Sequence, residues 1–161
     1  NKFKLLNARD TVVDLGAAPG GWSQVIAPNV KQLVACDLLE MKPVKDVLFI
    51  QGDFMDDMIQ KKMLALLKTS ASLICSDMAP NMTGIKIADQ ENMLHVLLSV
   101  FDFAKQNLSQ GGNLVVKCFE SQDIQKAIKA LSVQFAKIHR YKPPTSRSES
   151  TEFYLVALNK K

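Results

Sequence analysis

Residues 12–22 read Val-Val-Asp-Leu-Gly-Ala-Ala-Pro-Gly-Gly-Trp, an apolar run that leads directly into a glycine-rich turn. The apolar residues predict a buried parallel strand over Thr11–Leu15. Gly16 would then release the backbone at a point where a side chain would block a ligand. The glycines at positions 20 and 21 would let the main chain approach a ligand, and the helix that follows would offer its N-terminal amides. This order of strand, glycine turn and helix is typical of a nucleotide-cofactor site.

The spacing of these glycines argues against one class of cofactor. It lacks the G-x-G-x-x-G pattern of dinucleotide-binding sites. Pro19 also removes a backbone amide at a position where a pyrophosphate would need a donor. The turn therefore favours a cofactor that carries an adenosine and no phosphate, and S-adenosylmethionine is our candidate. A tight turn without any ligand is the alternative.

Composition and length predict one globular domain over residues 1–161. Of these residues, 47% are apolar and 22% are charged, which is ordinary for a folded domain. The net charge of +4 is a small surplus that favours an anionic partner. Cys36, Cys75 and Cys118 each lie in an apolar run and predict buried, reduced thiols in a reducing compartment. The cysteine and histidine spacing predicts no structural zinc site, and no apolar run approaches the length of a membrane span.

Apolar runs alternate with helical patterns along the chain, which predicts a doubly wound α/β sheet with helices on both faces. The last two strands have no helix between them, so we expect a mostly parallel, twisted sheet that ends in an antiparallel strand. A turn is predicted over residues 110–112. The predicted strands are 11–15, 32–37, 47–51, 71–76, 112–118, 137–141 and 152–158, and the predicted helices are 22–27, 55–68, 90–107 and 123–134.

Acidic residues follow three of the predicted strands, at the edge where ligands gather in such sheets. Asp37 lies 21 residues after the first glycine of the turn, close to the roughly 20-residue spacing at which an acid accepts from ribose hydroxyls. Asp53 could accept from an adenine amino group, with Phe54 or Met55 packing on the ring. Asp77 would lie beside the reactive group of the cofactor. The alternative for each acid alone is a solvated loop residue or a helix cap.

Lys117 is unusual because it interrupts the apolar run 114–119. A buried ammonium is costly unless an anion pairs with it, and Asp77 ends a neighbouring predicted strand. We therefore predict an ion pair between Lys117 and Asp77, with a lysine that extends to the strand edge as the alternative. Glu152 begins the last strand after a polar loop, and considered alone it indicates no chemistry.

These segments, taken in order, resemble the FtsJ-like ribosomal RNA 2′-O-methyltransferases over nearly the whole chain. The matching segments are DLGAAPGGWSQ at 14–24, CDLL at 36–39, QGDF at 51–54, SDMAPN at 76–81, VVK at 115–117, and SR at 146–147 followed by EFY at 152–154. The resemblance implies a Rossmann-like methyltransferase fold that uses S-adenosylmethionine and releases S-adenosylhomocysteine. It also implies methylation of a ribose, that of a uridine, in large-subunit ribosomal RNA.

The family uses a Lys-Asp-Lys-Glu catalytic set, and Asp77, Lys117 and Glu152 match its last three members. The first lysine belongs to a helix upstream of the cofactor strand, and we expect the domain 1–161 to lack that helix. Lys2 and Lys4 lie too close to the first strand for that role. The cofactor-binding residues that the resemblance implies are Gly16, Ala18, Pro19, Gly20, Gly21, Trp22, Asp37, Leu38, Asp53, Phe54 and Asp77.

A ribose hydroxyl is a poor nucleophile at neutral pH, so a base must remove its proton during transfer. We assign this role to Lys117, with Asp77 and Glu152 orienting its amine. Basic residues would hold the phosphates of ribosomal RNA, within an assembled large subunit, without reading its sequence. Arg147 is the strongest candidate, and a solvated charged face is the alternative for each of them. The candidates are Lys42, Lys45, Lys86, Arg140, Lys142 and Arg147.

Three other functions remain open at this point. A nicotinamide-dependent oxidoreductase would share the glycine turn and Asp37, but it would leave Lys117 unexplained. A non-catalytic RNA-binding or ribosome-assembly module would need only the fold and the basic residues. A messenger RNA cap 2′-O-methyltransferase would use a similar catalytic set. We expect a cytoplasmic monomer, with a mitochondrial location as the alternative.

Overall fold

A computed structural model of the chain describes residues 3–147 and 150–161. Its strands and helices alternate as the apolar pattern predicts. The strands are β1 (Thr11–Leu15), β2 (Gln32–Asp37), β3 (Val47–Gln51), β4 (Ala71–Ser76), β5 (Leu108–Phe119), β6 (Phe135–Tyr141) and β7 (Glu152–Lys160). The helices are α1 (Gly21–Ile26), α2 (Asp57–Leu67), α3 (Lys86–Asn107) and α4 (Gln122–Ser132), and a short 3₁₀ helix spans Ala27–Asn29.

The strands form one sheet in the order β3-β2-β1-β4-β5-β7-β6. Strand β7 runs antiparallel to both of its neighbours, β5 and β6, while the pairs from β3 to β5 are parallel. This confirms the mostly parallel α/β sheet. The strand order reverses between β1 and β4, and a ligand crevice forms outside the carboxyl ends of the strands at such a point.

Helices cover both faces of the sheet, as expected. One core cluster includes Leu15 of β1 and the buried residues Met63, Leu97 and Ile124 of α2, α3 and α4. The cluster on the opposite face includes Ile26 of α1. Burying each such side chain contributes about 1.5–3 kcal/mol to the stability of the fold. Packing on both faces of the sheet therefore fixes the ends of the strands. The three cysteines are free and buried, which confirms their predicted state.

No helix within residues 3–147 and 150–161 is long and apolar enough to cross a membrane.

The predicted boundaries are wrong at the start of β5. This strand begins at Leu108, four residues before the predicted start, and residues 110–112 belong to an irregular part of the strand. Ala71 pairs with Leu108, and Leu73 pairs next with Asn113, so the intervening residues of β5 bulge out of the ladder. Gly111, at φ +76°, allows this bend. Pairing with β4 therefore replaces the predicted turn.

Hydrogen bonds to acidic side chains explain where α2 and α3 begin. Helix α2 begins at Asp57 because the Asp56 side chain accepts a hydrogen bond from the Met58 amide at 2.8 Å. Helix α3 begins at Lys86, earlier than predicted. There the buried Asp89 carboxylate accepts from the backbone amide and hydroxyl of Thr83, each at 2.7 Å. These hydrogen bonds lower the pKa of Asp89 and fix the loop that enters the helix.

Lys160 of β7 caps the carboxyl end of α3. Its ammonium donates to the carbonyl oxygens of Ala104, Lys105 and Leu108, the last at 2.7 Å. The Ala104 carbonyl also accepts from the Leu108 amide, while carbonyls beyond it at the end of a helix lack intrahelical partners. Hydrogen bonds from a charged donor contribute about 1.5–3 kcal/mol when buried. Because Lys160 is only partly buried, we expect Lys160→Met to lower the free energy of unfolding by about 1–2 kcal/mol. Urea denaturation measures this loss, and an equal effect of Lys62→Met on α2 would contradict the capping role.

Candidate active site

A cavity of about 520 Å³ opens at the carboxyl ends of β1 to β4. It contains seven of the eleven residues for which a cofactor role was predicted. Those seven are Gly16, Ala18, Asp37, Leu38, Asp53, Phe54 and Asp77, and Met55 and Met78 line the cavity beside them. The cavity therefore gathers side chains that lie far apart in sequence at the switch point of the sheet.

Gly16 forms the floor where β1 meets this cavity. Its φ is +72°, and a Cβ atom at this position would lie 2.8 Å from the Met78 backbone nitrogen. Its amide donates to the Cys36 carbonyl at 2.9 Å, which ties the turn to β2. Only glycine fits both the conformation and the space, and the atoms that a Cβ would meet belong to Met78. That a side chain here would block a ligand stays a prediction.

Two acids stand on the rim of the cavity. The half-buried Asp37 accepts backbone hydrogen bonds from Ala18 at 2.9 Å and Leu39 at 2.8 Å, one on each carboxylate oxygen. A carboxylate has about four acceptor positions, so Asp37 retains capacity for a ligand hydroxyl. The exposed Asp53 accepts from the Met55 amide at 2.8 Å. Phe54 is 3% exposed and packs edge-on against Phe103, so most of its ring belongs to the core.

The structure places the remaining predicted cofactor residues outside this group. Gly20 precedes α1 at φ +113°, and a Cβ atom there would lie 3.2 Å from Met41 Sδ. Gly21 begins α1, and Pro19 is exposed. The Trp22 ring contacts Tyr154 at 5.6 Å between centroids and lines an apolar groove on the α1 face. Their cofactor roles stay predictions.

Asp77 joins two donors beside the cavity. Its Oδ1 lies 3.3 Å from Lys117 Nζ and accepts a hydrogen bond from the Tyr154 hydroxyl at 2.9 Å. The Lys117 side chain is 13% exposed, so the amine lies against Asp77 and does not extend to solvent. The predicted ion pair is confirmed. The Asp77 amide donates to the Leu15 carbonyl at 2.9 Å, which holds the carboxylate at the end of β1.

Tyr154 is the member of this cluster that sequence reasoning missed. It lies directly opposite Lys117 in the antiparallel pair of β5 and β7. Burial, followed by the charge of Asp77, raises the pKa of the Tyr154 phenol, so it is a hydrogen-bond donor at neutral pH. Glu152 lies two residues earlier and therefore on the same face of β7. This alternation is the signal that could have identified Tyr154.

Glu152 sits at the start of β7, opposite Phe119. Its amide donates to the Ser150 hydroxyl at 3.2 Å, and its charge contributes to the raised pKa of Tyr154. Within the described parts of the chain, the ion pair of Lys117 is with Asp77 and none joins it to Glu152. The orienting role of Glu152 stays a prediction.

Three comparisons with known proteins agree with this geometry. The family model for FtsJ-like methyltransferases matches residues 1–160. The chain belongs to the FtsJ-like methyltransferase family. It is 41% identical to a protein of Francisella tularensis subsp. novicida named ribosomal RNA large subunit methyltransferase E, over 98% of this chain and 78% of that protein.

Solved structures extend the likeness of this FtsJ-like chain. A crystal structure from Plasmodium falciparum, described as that of a ribosomal RNA methyltransferase, superposes with a TM-score of 0.88 at 30% identity. That match covers 99% of this chain and 91% of the other. A methyltransferase structure from Streptococcus mutans in complex with SAH superposes with a TM-score of 0.63 over 97% of this chain and 90% of the other. At 13% identity it shows the shared fold alone.

The basic residues of this FtsJ-like chain differ in what they contact. Arg140 forms an ion pair with Glu120 at 2.7 Å and lies over the Phe153 ring at 4.8 Å. The Lys142 amine donates to the Ser150 carbonyl at 2.7 Å. Lys42, Lys45, Lys86 and Arg147 are exposed. Ser148 and Glu149, in the same loop as Arg147, lie outside the described residues. Roles in RNA binding stay predictions for all of them.

Asp14 is a fully buried acid below the glycine turn. Its Oδ2 accepts from the Ser23 hydroxyl at 2.7 Å, while Oδ1 has no partner among the described residues. Burial raises the pKa of Asp14 to about 6, against the opposing effect of the Ser23 hydrogen bond. The folded state thus binds a proton on Asp14 more tightly than the unfolded state does. The contribution of Asp14 to the free energy of unfolding therefore falls as pH rises from about 4 through 6.

Replacing Asp14 with asparagine removes this titration. We expect the stability of Asp14→Asn relative to the parent chain to rise by about 2 kcal/mol between pH 4 and pH 7, because the ionised carboxylate is penalised only in the parent chain. Urea denaturation across this range measures the difference, with Asp102→Asn on the exposed face of α3 as control. Parallel stability curves for the parent chain and Asp14→Asn would contradict the prediction.

Proposed function

We propose that this chain transfers a methyl group from S-adenosylmethionine to the 2′-hydroxyl of a ribose, that of a uridine, in large-subunit ribosomal RNA. The observation that carries the proposal is the contact of Lys117 and Tyr154 with one oxygen of Asp77, beside the cavity at the switch point. The family membership and the names of the relatives support the substrate. We further propose that the substrate is the assembled large subunit and that the chain acts as a cytoplasmic monomer.

The cavity residues fit S-adenosylmethionine. Asp37 has acceptor capacity for ribose hydroxyls, and the exposed Asp53 is an acceptor for an adenine amino group. Gly16 lets Met78 pack against the end of β1, because a Cβ atom at position 16 would overlap Met78, and both residues line the cavity. The bound cofactor supplies an activated methyl group, and the residues that would hold it are Gly16, Ala18, Asp37, Leu38, Asp53 and Asp77.

In the proposed mechanism Lys117 acts as the neutral amine, after releasing its own proton to solvent, and then takes the proton from the ribose hydroxyl. Asp77 holds the lysine amine at 3.3 Å, so the amine keeps one position while the substrate approaches. Tyr154 donates to the same carboxylate oxygen and restrains it in turn. General base catalysis typically contributes about 10²–10⁴-fold, and fixed orientation contributes up to roughly 7–11 kcal/mol in favourable systems. The residues of this cluster therefore move a proton and hold the reacting groups in line.

Methyl transfer from labelled S-adenosylmethionine to large ribosomal subunits that lack the modification tests the proposal. One arm uses this chain, and the other uses this chain joined to the part of the Francisella relative that lies outside the match. We expect labelled ribose, recognised because 2′-O-methylation protects the following phosphodiester from alkaline cleavage. Methyl groups on a base, or methylation of capped messenger RNA alone, would overturn the assigned substrate.

Cofactor binding separates the remaining alternatives. Trp22 contacts Tyr154, so we expect S-adenosylhomocysteine to change Trp22 fluorescence and NAD to leave it unchanged. The opposite result would favour an oxidoreductase. Binding of ribosomal RNA without cofactor binding or transfer in either arm would favour a non-catalytic assembly module.

A further inference from the structure

A second cavity, of about 410 Å³, opens at the carboxyl edge of the sheet, between the first turns of α3 and α4. Its walls come from residues that follow or precede Asp77, Lys117 and Glu152 in sequence. They include Met82 after β4, Phe119 at the end of β5, Ser121 before α4, and Thr151 before β7. We call it the base cavity, and the proposed function assigns it no role.

The base cavity opens at the same edge of the sheet as the reacting position, on the face that α3 and α4 cover. Phe119 follows Lys117 by two residues, about 6–7 Å along a strand, and packs in the core cluster of that face, while Tyr154, opposite Lys117, packs on the α1 face. Thr151 directly precedes Glu152, and its carbonyl accepts from the Glu120 amide at 2.9 Å, so the ends of β5 and β7 are joined here. A ribose at Lys117 is therefore within reach of this cavity through its own base or that of an adjacent nucleotide.

The lining of the base cavity suits a nucleobase better than a phosphate. Phe119, Met93 and Ile124 supply apolar surface, and the hydroxyls of Ser121 and Thr151 supply hydrogen bonds. Unstacked bases bind between aromatic and apolar side chains, with polar groups at their edges.

The charged groups in the lining also favour a nucleobase over a phosphate. The Glu120 carboxylate is already paired with Arg140 at 2.7 Å, and Asp89 accepts from Thr83 and Gly84. Lys86 also lines the cavity, so two carboxylates face one ammonium and the lining is net negative, which disfavours an anionic ligand. Both are held by other residues, so they do not require a cation.

Exposed apolar side chains lie next to the cavity in the segment that leads into α3. Met82 lines the cavity and is 61% exposed, and Ile85 and Ile87, in the same loop and first turn, are 65% and 71% exposed. The hydrogen bonds to Asp89 fix this loop, so the position of Met82 is preformed. Apolar side chains that contact nucleic acid commonly separate stacked bases.

We propose that the base cavity binds one unstacked nucleobase of the RNA substrate, either that of the methylated nucleotide or that of its immediate neighbour. The inference rests on the proposed function for the identity of the substrate. The base is thus taken out of its stack when the ribose reaches Lys117.

Methionine methyl resonances test this without any need for turnover. Met82 and Met93 line the base cavity, Met55 and Met78 line the cofactor cavity, and Met63 is fully buried elsewhere. With ¹³C-methyl methionine and saturating S-adenosylhomocysteine, we expect uridine monophosphate to shift Met82 and Met93, and ribose 5-phosphate to leave them unchanged. Failure of S-adenosylhomocysteine to shift Met55 and Met78 would count against the proposed function, while the nucleotide result stands by itself.

Variants give the test its matched control. Base stacking on an aromatic ring contributes a factor of about 5–100 in affinity. We therefore expect Phe119→Leu to weaken the binding of uridine monophosphate by that factor and Phe119→Tyr to leave its affinity unchanged. Phe49→Leu, in the half-buried edge strand β3, should have no effect. Equal affinities for Phe119→Leu and Phe49→Leu would overturn the proposal, as would shifts with ribose 5-phosphate.

A cross-link identifies which nucleotide supplies the base. A benzoylphenylalanine at position 82 is irradiated with large ribosomal subunits, and the cross-linked nucleotide is mapped by the stop of reverse transcription. A cross-link to the methylated nucleotide, or to the one beside it, supports the proposal and decides between the two. Cross-links confined to distant nucleotides would overturn it.

Discussion

Replacing Lys117 with methionine should lower methyl transfer by about 1,000-fold and leave S-adenosylhomocysteine affinity within about twofold. Methionine keeps most of the apolar length of the side chain and removes only the amine. The substrate hydroxyl then has no base at the position that Asp77 holds 3.3 Å from the lysine nitrogen. Single-turnover transfer to large subunits, in whichever form of the protein is active, measures the loss, and Trp22 fluorescence measures cofactor affinity.

Lys137→Met is the matched control for this substitution. Lys137 is exposed on β6, so its replacement removes one positive charge without touching the cluster. We expect the methyl-transfer rate of Lys137→Met to stay within about twofold of the parent, since an exposed lysine can act on RNA only through its charge and not through proton transfer. A Lys117→Met rate within about tenfold of the parent would exclude Lys117 as the base.

Replacing Gly16 with alanine should weaken S-adenosylhomocysteine binding by at least about 100-fold, because the new Cβ atom changes the floor of the cavity. It would lie 2.8 Å from the Met78 nitrogen and 2.9 Å from Met78 Cγ, so β1 and the loop after β4 must separate. A residue with a side chain at φ +72° also costs about 1–2 kcal/mol of stability. Calorimetric titration and urea denaturation measure the two effects separately.

Gly111→Ala separates the steric effect from the backbone effect. Gly111 has a φ of +76°, and a Cβ atom there would meet nothing within 4 Å. We therefore expect the same loss of about 1–2 kcal/mol of stability with unchanged cofactor affinity. If Gly16→Ala binds S-adenosylhomocysteine as tightly as Gly111→Ala, the cofactor does not lie against this turn.

The first four strands could be predicted to the residue because each is a short apolar run with polar residues at its ends. Strands β1, β2 and β4 are buried on both faces, whereas β3 is a half-buried edge strand. The start of β5 could not be predicted, because Gly111 and Gly112 resemble a turn and only the ladder with β4 makes them part of a strand. The start of α3 depends on hydrogen bonds that Asp89 makes back to a loop, which no helical period contains.

The ion pair of Lys117 and Asp77 could be predicted from sequence for a related reason. Asp77 directly follows β4, and Lys117 lies near the end of the neighbouring parallel strand β5. Their charges are opposite, so topology alone brings them together. Tyr154 reaches the same carboxylate through the antiparallel register of β7, which the sequence leaves open. The partner of Arg140 likewise depends on where β6 lies relative to the end of β5.

The position of β7 has a consequence for folding. This strand is made after β5 and β6, yet it lies between them and pairs with both. Until β7 inserts, β5 and β6 each present an unpaired edge, which is a template for aggregation. The same insertion brings Tyr154 to Asp77. Closure of the sheet and assembly of the cluster of Asp77, Lys117 and Tyr154 are therefore one event, and a folding intermediate without β7 has neither a protected edge nor a complete cluster.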